Sequence, residues 1–305
     1  MTYLKIWSGL CNRLAPLIST FRICKEKGLK LFVFWSSRVG RWPFTFHGSE
    51  DMGFLDLFKP IEGVQFVSTI PSSVNPINID YQGNYRDLKD NTFLDSTWNL
   101  IGDPTLDDEK EVRAYTHWPP KFGMVGESRY SESLRKYFKL LKPVEKIQEK
   151  IDNIVSQFGS HTVGVHIRRS DRLPNTIPID PGNRAVIVTT ADERICKRLD
   201  SILKEDPNVK FFIATDHTPT DFFYRSRYGD SIVDAIDFFG GLMRRGENSN
   251  LGTMNGVIDM FGLSRCNYIM GSTHSSFSTI AWLLAEKGIP LEILTGVEYP
   301  GENPL

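Results

Sequence analysis

His166-Ile167-Arg168-Arg169-Ser170-Asp171 gathers an imidazole, two guanidinium groups and a carboxylate at the end of an apolar run. Arginine keeps its charge at neutral pH and offers a planar fork of donors that matches phosphate or carboxylate oxygens. The chemistry these residue types suggest is recognition of an anion. The run before them, Thr162-Val163-Gly164-Val165-His166-Ile167, is rich in β-branched residues, and Gly164 leaves room for close backbone approach. It reads as a short buried strand. Side chains alternate along a strand, so His166 and Arg168 share one face and Ile167 and Arg169 the other. Ligands of open parallel sheets bind beyond the carboxyl ends of strands. Arg168 is therefore placed to meet an anion, and Arg169 to brace the sheet or Asp171. A structural Arg–Asp pair closing the strand is the competing reading, because such pairs are common.

The elements that must hold these groups alternate along the chain. Tyr3–Trp7 reads as a strand, Ser8–Arg13 as a tight turn, and Leu14, Leu17, Ile18 and Phe21 as a helix that stops at Gly28. Leu29–Trp35 is a second buried strand. Strand, glycine turn, helix and strand in this order open a doubly wound α/β domain. The start of its first helix, with Asn12 and Arg13, is suited to an anion, although turn geometry explains the glycine equally well. The loop 36–47 follows a strand and holds Arg41, Trp42 and His47. Trp42 suits stacking on a sugar ring and Arg41 hydrogen bonding to hydroxyls; an ordinary surface loop is the alternative.

Phe54–Phe58 reads as a short helix, Val64–Val67 and Ile77–Tyr81 as strands, and Val112–Trp118 as another. Residues 81–108 carry no clear period. Helices follow at Ser131–Lys142 and Val144–Phe158, and the domain boundary is expected near Phe158, giving domains 1–158 and 159–305. The second half repeats the alternation. Helices are expected at Ala191–Lys204, Gly256–Ser264 and Phe277–Glu286. Strands are expected at Val209–Ala214, Ile232–Phe238, Asn267–Met270 and Leu291–Leu294.

The bulk numbers exclude several classes. The 305 residues suit two domains, and 40% apolar with 24% charged residues is ordinary for a globular protein. A net charge of −1 argues against a general nucleic-acid binder. Cys11, Cys24, Cys196 and Cys266 are scattered, which suggests free thiols in a reducing compartment. No run approaches the roughly 20 apolar residues of a membrane span, and no signal-peptide core follows Met1. A soluble cytoplasmic protein is expected, with its oligomeric state unread.

Three strand ends converge in this arrangement: Arg168, Thr215-Asp216, and the turn Gly271–Ser276 that opens a helix. Ser275 and Ser276, with the helix N–H groups, form a natural phosphate seat. Asp259 on the preceding helix is suited to accept from a base or ribose. Together they suggest a nucleotide diphosphate. The chain has no P-loop, no G-x-G-x-x-G, no G-x-S-x-G elbow, no zinc spacing and no Asp-x-Asp metal motif. Arginine and a helix end would then carry the phosphate charge without a metal.

His166–Asp171 resembles the H-x-R-R-x-D segment of the α1,2-, α1,6- and protein-O-fucosyltransferase superfamily. Gly9–Arg13 is similar to its N-terminal glycine turn and Ala214-Thr215-Asp216 to its A-T-D strand end. Asp259 through Ser264, then Ser275–Ser278, are similar to its last motif. The resemblance implies a GT-B architecture, two Rossmann-like domains facing a cleft. It implies inverting, metal-independent transfer of fucose from GDP-fucose to a glycan or glycoconjugate, the donor being a substrate and no cofactor being needed. It places Arg168 on the β-phosphate, His166 and Asp259 on the guanosine, Ser275 and Ser276 on the phosphates, and Asp216 near the nucleotide. The acceptor side would hold Arg41, Trp42 and His47. Where the α1,6 branch carries a glutamate after the arginines, this chain reads Arg172-Leu173-Pro174-Asn175-Thr176. Asp171 and Asp180 are the nearest carboxylates, with Asp171 the expected catalytic partner of Arg168. Another donor such as UDP-xylose, a non-catalytic carbohydrate-binding relative and a nucleotide-sugar hydrolase remain alternatives.

Overall fold

Two short β-branched or aromatic runs, Thr2–Ile6 and Leu31–Trp35, pair in parallel on either side of a long helix in sequence. The computed structural model describes residues 1–6, 9–35, 52–77, 92–96, 123–125, 129–169, 192–234, 250–272 and 275–294. The chain divides into two units.

The first unit comprises residues 1–118, 127–145 and 248–253. It holds β1 (Thr2–Ile6), α1 (Leu10–Glu26), β2 (Leu31–Trp35), β3 (Val64–Phe66), β4 (Asn75–Ile77), β5 (Thr92–Ser96) and α2 (Arg129–Phe138). Its sheet runs β3-β2-β1-β5-β4, all parallel. Leu14, Leu17, Ile18 and Phe21 of α1 are buried with Leu4, Ile6 and Val33, as the helical spacing predicts. A single 3-10 turn, Phe54–Asp56, stands where the sequence suggests a short helix; Asp56 caps it by accepting from the Gly53 N–H at 2.8 Å.

The second unit comprises residues 119–126, 146–247 and 254–305. The chain first joins it at residues 119–126 and returns to it at Lys146, so α3 (Glu145–Val155) counts almost wholly with this unit. The unit also holds β6 (Gly123–Val125), which precedes α3, and after it β7 (Thr162–Ile167), α4 (Asp192–Glu205), β8 (Lys210–Thr215), α5 (Thr218–Tyr228), α6 (Asn250–Leu263, of which this unit takes Met254 onward), β9 (Tyr268–Ser272), α7 (Ser276–Leu284) and β10 (Leu291–Leu294). The sheet order is β6-β10-β9-β7-β8, parallel except for β6. β8 lies on one side of β7 and β9 on the other, so the order reverses between β7 and β9.

Helices cover both faces. On one, Val163, Val165 and Ile167 of β7 join Phe211 and Ile213 of β8, Ile195, Leu199 and Ile202 of α4, and Tyr224 and Tyr228 of α5 in a single buried cluster. Each such side chain contributes about 1.5–3 kcal/mol by leaving water. On the other face α6 comes so near β7 that a Cβ on Gly164 would lie 2.8 Å from Leu263 and 2.9 Å from Cys266. Ile232 makes one isolated parallel bridge to Phe211 instead of starting a strand. The expected strand at Val112–Trp118 and the carboxyl parts of Ile77–Tyr81 and Ile232–Phe238 lie outside the described residues.

Candidate functional site

The carboxyl end of β7 carries the groups from which the sequence reading began. The alternation expected there is realised. Arg168 pairs with Asp216, just past the end of β8, with Nη1 and Oδ2 2.9 Å apart. The Arg168 side chain is 22% exposed and that of Asp216 13%, so the pair is partly open to solvent. Arg169 turns to the opposite face and is buried. Its Nη2 donates to Asp192 Oδ1 at 2.6 Å, at the start of α4, and the Tyr224 hydroxyl of α5 donates to the same oxygen at 2.7 Å. Burial, reinforced by Asp192, pushes the Tyr224 phenol well above its ordinary pKa, so the hydroxyl stays protonated as a donor. Arg169 therefore braces the sheet, one of the two roles the sequence allowed it.

His166 is buried on the Arg168 side of β7. Its Nδ1 lies 2.7 Å from Ser278 Oγ, and its ring stacks on Phe277 with centroids 4.7 Å apart. Both partners belong to α7, which packs tightly enough that a Cβ on Gly271 would lie 2.6 Å from Ser278 Cβ. Ser272, at the end of β9, stitches the strands together. Its hydroxyl donates to the His166 carbonyl at 2.8 Å and accepts the Arg168 backbone N–H at 3.0 Å. These bonds lie where the strand order reverses, the position at which open α/β sheets bind ligands.

Ser275 is the N-cap of α7 but makes no side-chain capping bond to the helix. Ser276 opens that helix. The amides of its first turn are the kind of group that binds phosphate. Asp259 is buried in the second half of α6. His217 follows Asp216 as the N-cap of α5, its ring held by Thr220 with Nδ1 and Oγ1 2.9 Å apart.

Asn12 and Arg13 lie in the first turn of α1, in the first unit. Arg13 is only 1% exposed, and its guanidinium stacks 4.4 Å from the Trp35 ring centroid. Burial pulls its pKa down to about 10. Asp171, Arg41, Trp42 and His47 lie outside the described residues.

The unit therefore brings Arg168, Asp216, His166, Ser275 and Ser276 to one sheet edge. Sequence reasoning missed Ser272 and Ser278, which hold Arg168 and His166, and Asp192 and Tyr224, which hold Arg169 on the opposite face. Ser278 had a signal, since it falls in the motif segment Ser275–Ser278; Asp192 and Tyr224 had none. An open cavity of about 540 Å³ lined by Lys210, Arg225, Asp230 and Asp234 includes none of these edge residues. Among the described residues no cluster of His, Cys, Asp or Glu could hold a metal ion, and no helix is long and apolar enough to cross a membrane.

No protein-family model matches the chain, and no curated protein matches it in sequence. Solved structures do match in fold. NodZ α-1,6-fucosyltransferase soaked with GDP-fucose is 16% identical over 93% of this chain and 92% of its own, with a TM-score of 0.56. A mutant of Arabidopsis thaliana FUT1 in complex with GDP is 12% identical over 97% of this chain and 70% of its own, with a TM-score of 0.55. POFUT1 in complex with GDP-fucose is 13% identical over 97% of both chains, with a TM-score of 0.50. The likeness at these identities is one of fold.

Proposed function

We propose that the chain is a glycosyltransferase that moves a sugar from a nucleotide donor, GDP-fucose by preference, to a hydroxyl of a glycan or glycoconjugate. The observation that carries this reading is the meeting of Arg168, His166 and the Ser275–Ser276 helix start at the switch point of the second unit's sheet. The fold supports it, because structures of that fold have been determined with GDP and GDP-fucose.

In this reading the two units act as the lobes of a GT-B enzyme. Arg168 holds the β-phosphate, the α7 N-terminus seats the other phosphate oxygens, and His166 and Asp259 meet the guanosine. The acceptor hydroxyl attacks the anomeric carbon as the bond to the diphosphate breaks, which inverts that centre. A carboxylate takes the hydroxyl proton, and Asp171 is the residue the sequence offers. No metal is needed where fixed donors neutralise the charge growing on the leaving diphosphate. Such preorganised electrostatics are usually the largest single contribution to this kind of chemistry.

A thermal-shift panel of GDP, UDP, ADP and CMP tests the reading first. A nucleotide at 100 times its Kd stabilises the folded chain by about 2.7 kcal/mol, so GDP should raise Tm most. If no nucleotide raises Tm, the proposal fails. Incubation with GDP-fucose and UDP-xylose then separates the outcomes. Transfer to an acceptor supports the enzyme and names its donor. Sugar binding without turnover supports a non-catalytic relative, and acceptor-independent release of free sugar a hydrolase.

A further inference from the structure

We infer that Asp216 is a positioning residue that presents Arg168 to the anionic ligand, and is not itself a contact to the nucleotide. The inference rests on the preceding reading, that this edge takes a nucleotide diphosphate, and it changes the role which the sequence resemblance gave to Asp216. One Asp216 oxygen accepts the Arg169 backbone N–H at 2.8 Å, and the other lies 2.9 Å from Arg168 Nη1. The first bond fixes the carboxylate on the backbone just past β7. That backbone is itself held, because the Arg169 side chain is buried against Asp192. The register places Ile167 opposite Thr215, so the residues that follow, Arg168 and Asp216, leave the sheet side by side.

An arginine at a strand end would otherwise sample many rotamers. Tied at Nη1, its guanidinium plane is set before the ligand arrives. A guanidinium has five N–H donors in a fixed fork, so it can serve a carboxylate on one edge and a phosphate oxygen on another. A direct contact between Asp216 and a diphosphate would set like charges together. Each Asp216 oxygen already serves β7's end, one the Arg169 N–H and the other the Arg168 guanidinium, which is the arrangement of a carboxylate that orients the arginine.

The test compares affinities of the full chain for GDP and for inorganic pyrophosphate by calorimetry. The variants are Asp216→Ala, Asp216→Asn, Arg168→Ala and the double alanine variant. Asp216→Ala should weaken both ligands by the same factor, roughly tenfold. Asp216→Asn keeps one acceptor oxygen but turns an NH2 donor toward either the Arg169 N–H or the guanidinium, so its affinity for both ligands should fall between those of the wild type and Asp216→Ala. The double variant should bind like Arg168→Ala. If the alanine variant fails to fold, Asp216→Ser reads the same effect, since it retains a polar group but cannot reach the guanidinium. Unchanged pyrophosphate affinity in Asp216→Ala overturns the inference. Loss of GDP alone, with pyrophosphate kept, overturns it too, by showing a nucleoside contact. A wild-type chain that binds neither ligand defeats the nucleotide reading and this one together; binding that ignores Asp216 defeats this one alone.

Discussion

At the scale of single residues, Arg168 is where charge and geometry meet. It stands one position past β7, mostly shielded, with a carboxylate on one edge. Arg168→Ala should lower turnover of a nucleotide-sugar donor by a factor on the order of 10²–10³, the usual cost of losing one preorganised donor to developing charge. Nucleotide release followed with time checks this, and near-normal turnover would dismiss the assignment. Arg168→Lys keeps the charge but not the planar fork, so it should fall between the two. The opposite facing of Arg168 and Arg169 was legible in the sequence, because a strand's period of two is a local property. The partner of each was not. Asp216 is 47 residues from Arg169, and only the pairing of β7 with β8 makes them neighbours.

At the scale of elements, the fit between α7 and the sheet decides where His166 points. Gly271→Ala would drive a methyl group into Ser278, with the Ile293 side chain 2.9 Å away on another side. Overpacking of this kind costs about 1–3 kcal/mol, and here it would also shift the hydroxyl that holds His166. A urea melt should show the loss of stability, and the His166 ring resonances should move with it. At the amino end of β7, His161 Nδ1 lies 2.9 Å from Asp206 Oδ2. That bond, helped by the Asn208 N–H, holds the Asp206 carboxyl below the usual carboxylate range. Its folded pKa is depressed, so its contribution is present above the unfolded value and is lost as pH falls through the folded one. The Tm of the wild type should therefore drop more steeply below about pH 4 than that of Asp206→Asn; parallel curves would remove this contribution.

Most long elements were readable from periodicity, and the short ones were not. β6 has three residues, too few to show a period, and β5 lies in a stretch whose composition gives no strand signal. α6 begins at Asn250, not near Gly256. Asn250, Gly252 and Thr253 are poor helix formers, so propensity did not announce a turn that the fold nonetheless forms.

At the scale of the whole molecule, the four cysteines report on how closely the core is packed. All are buried free thiols. Burial pushes the Cys24 thiol up to about 11 and raises that of Cys266 well above its ordinary value. The thiolate is the reactive form, so the native chain should react slowly with a thiol reagent and release four equivalents only in denaturant. Fast reaction of any thiol in the native state would contradict the burial.

What the sequence determined by itself is what a few adjacent residues can encode. It set the alternation of strand and helix, the arginine pair at a strand end, and the serines at a helix start. Each follows from backbone periodicity or from the capping chemistry of one turn. The tertiary structure decided which carboxylate faces Arg168, which hydroxyl orients His166, and that Ser272 ties β7 to β9 across 104 residues of chain. Those choices follow from strand order and from glycines that admit close packing. Strand order is set by many weak contacts acting together, and no single stretch of sequence holds it.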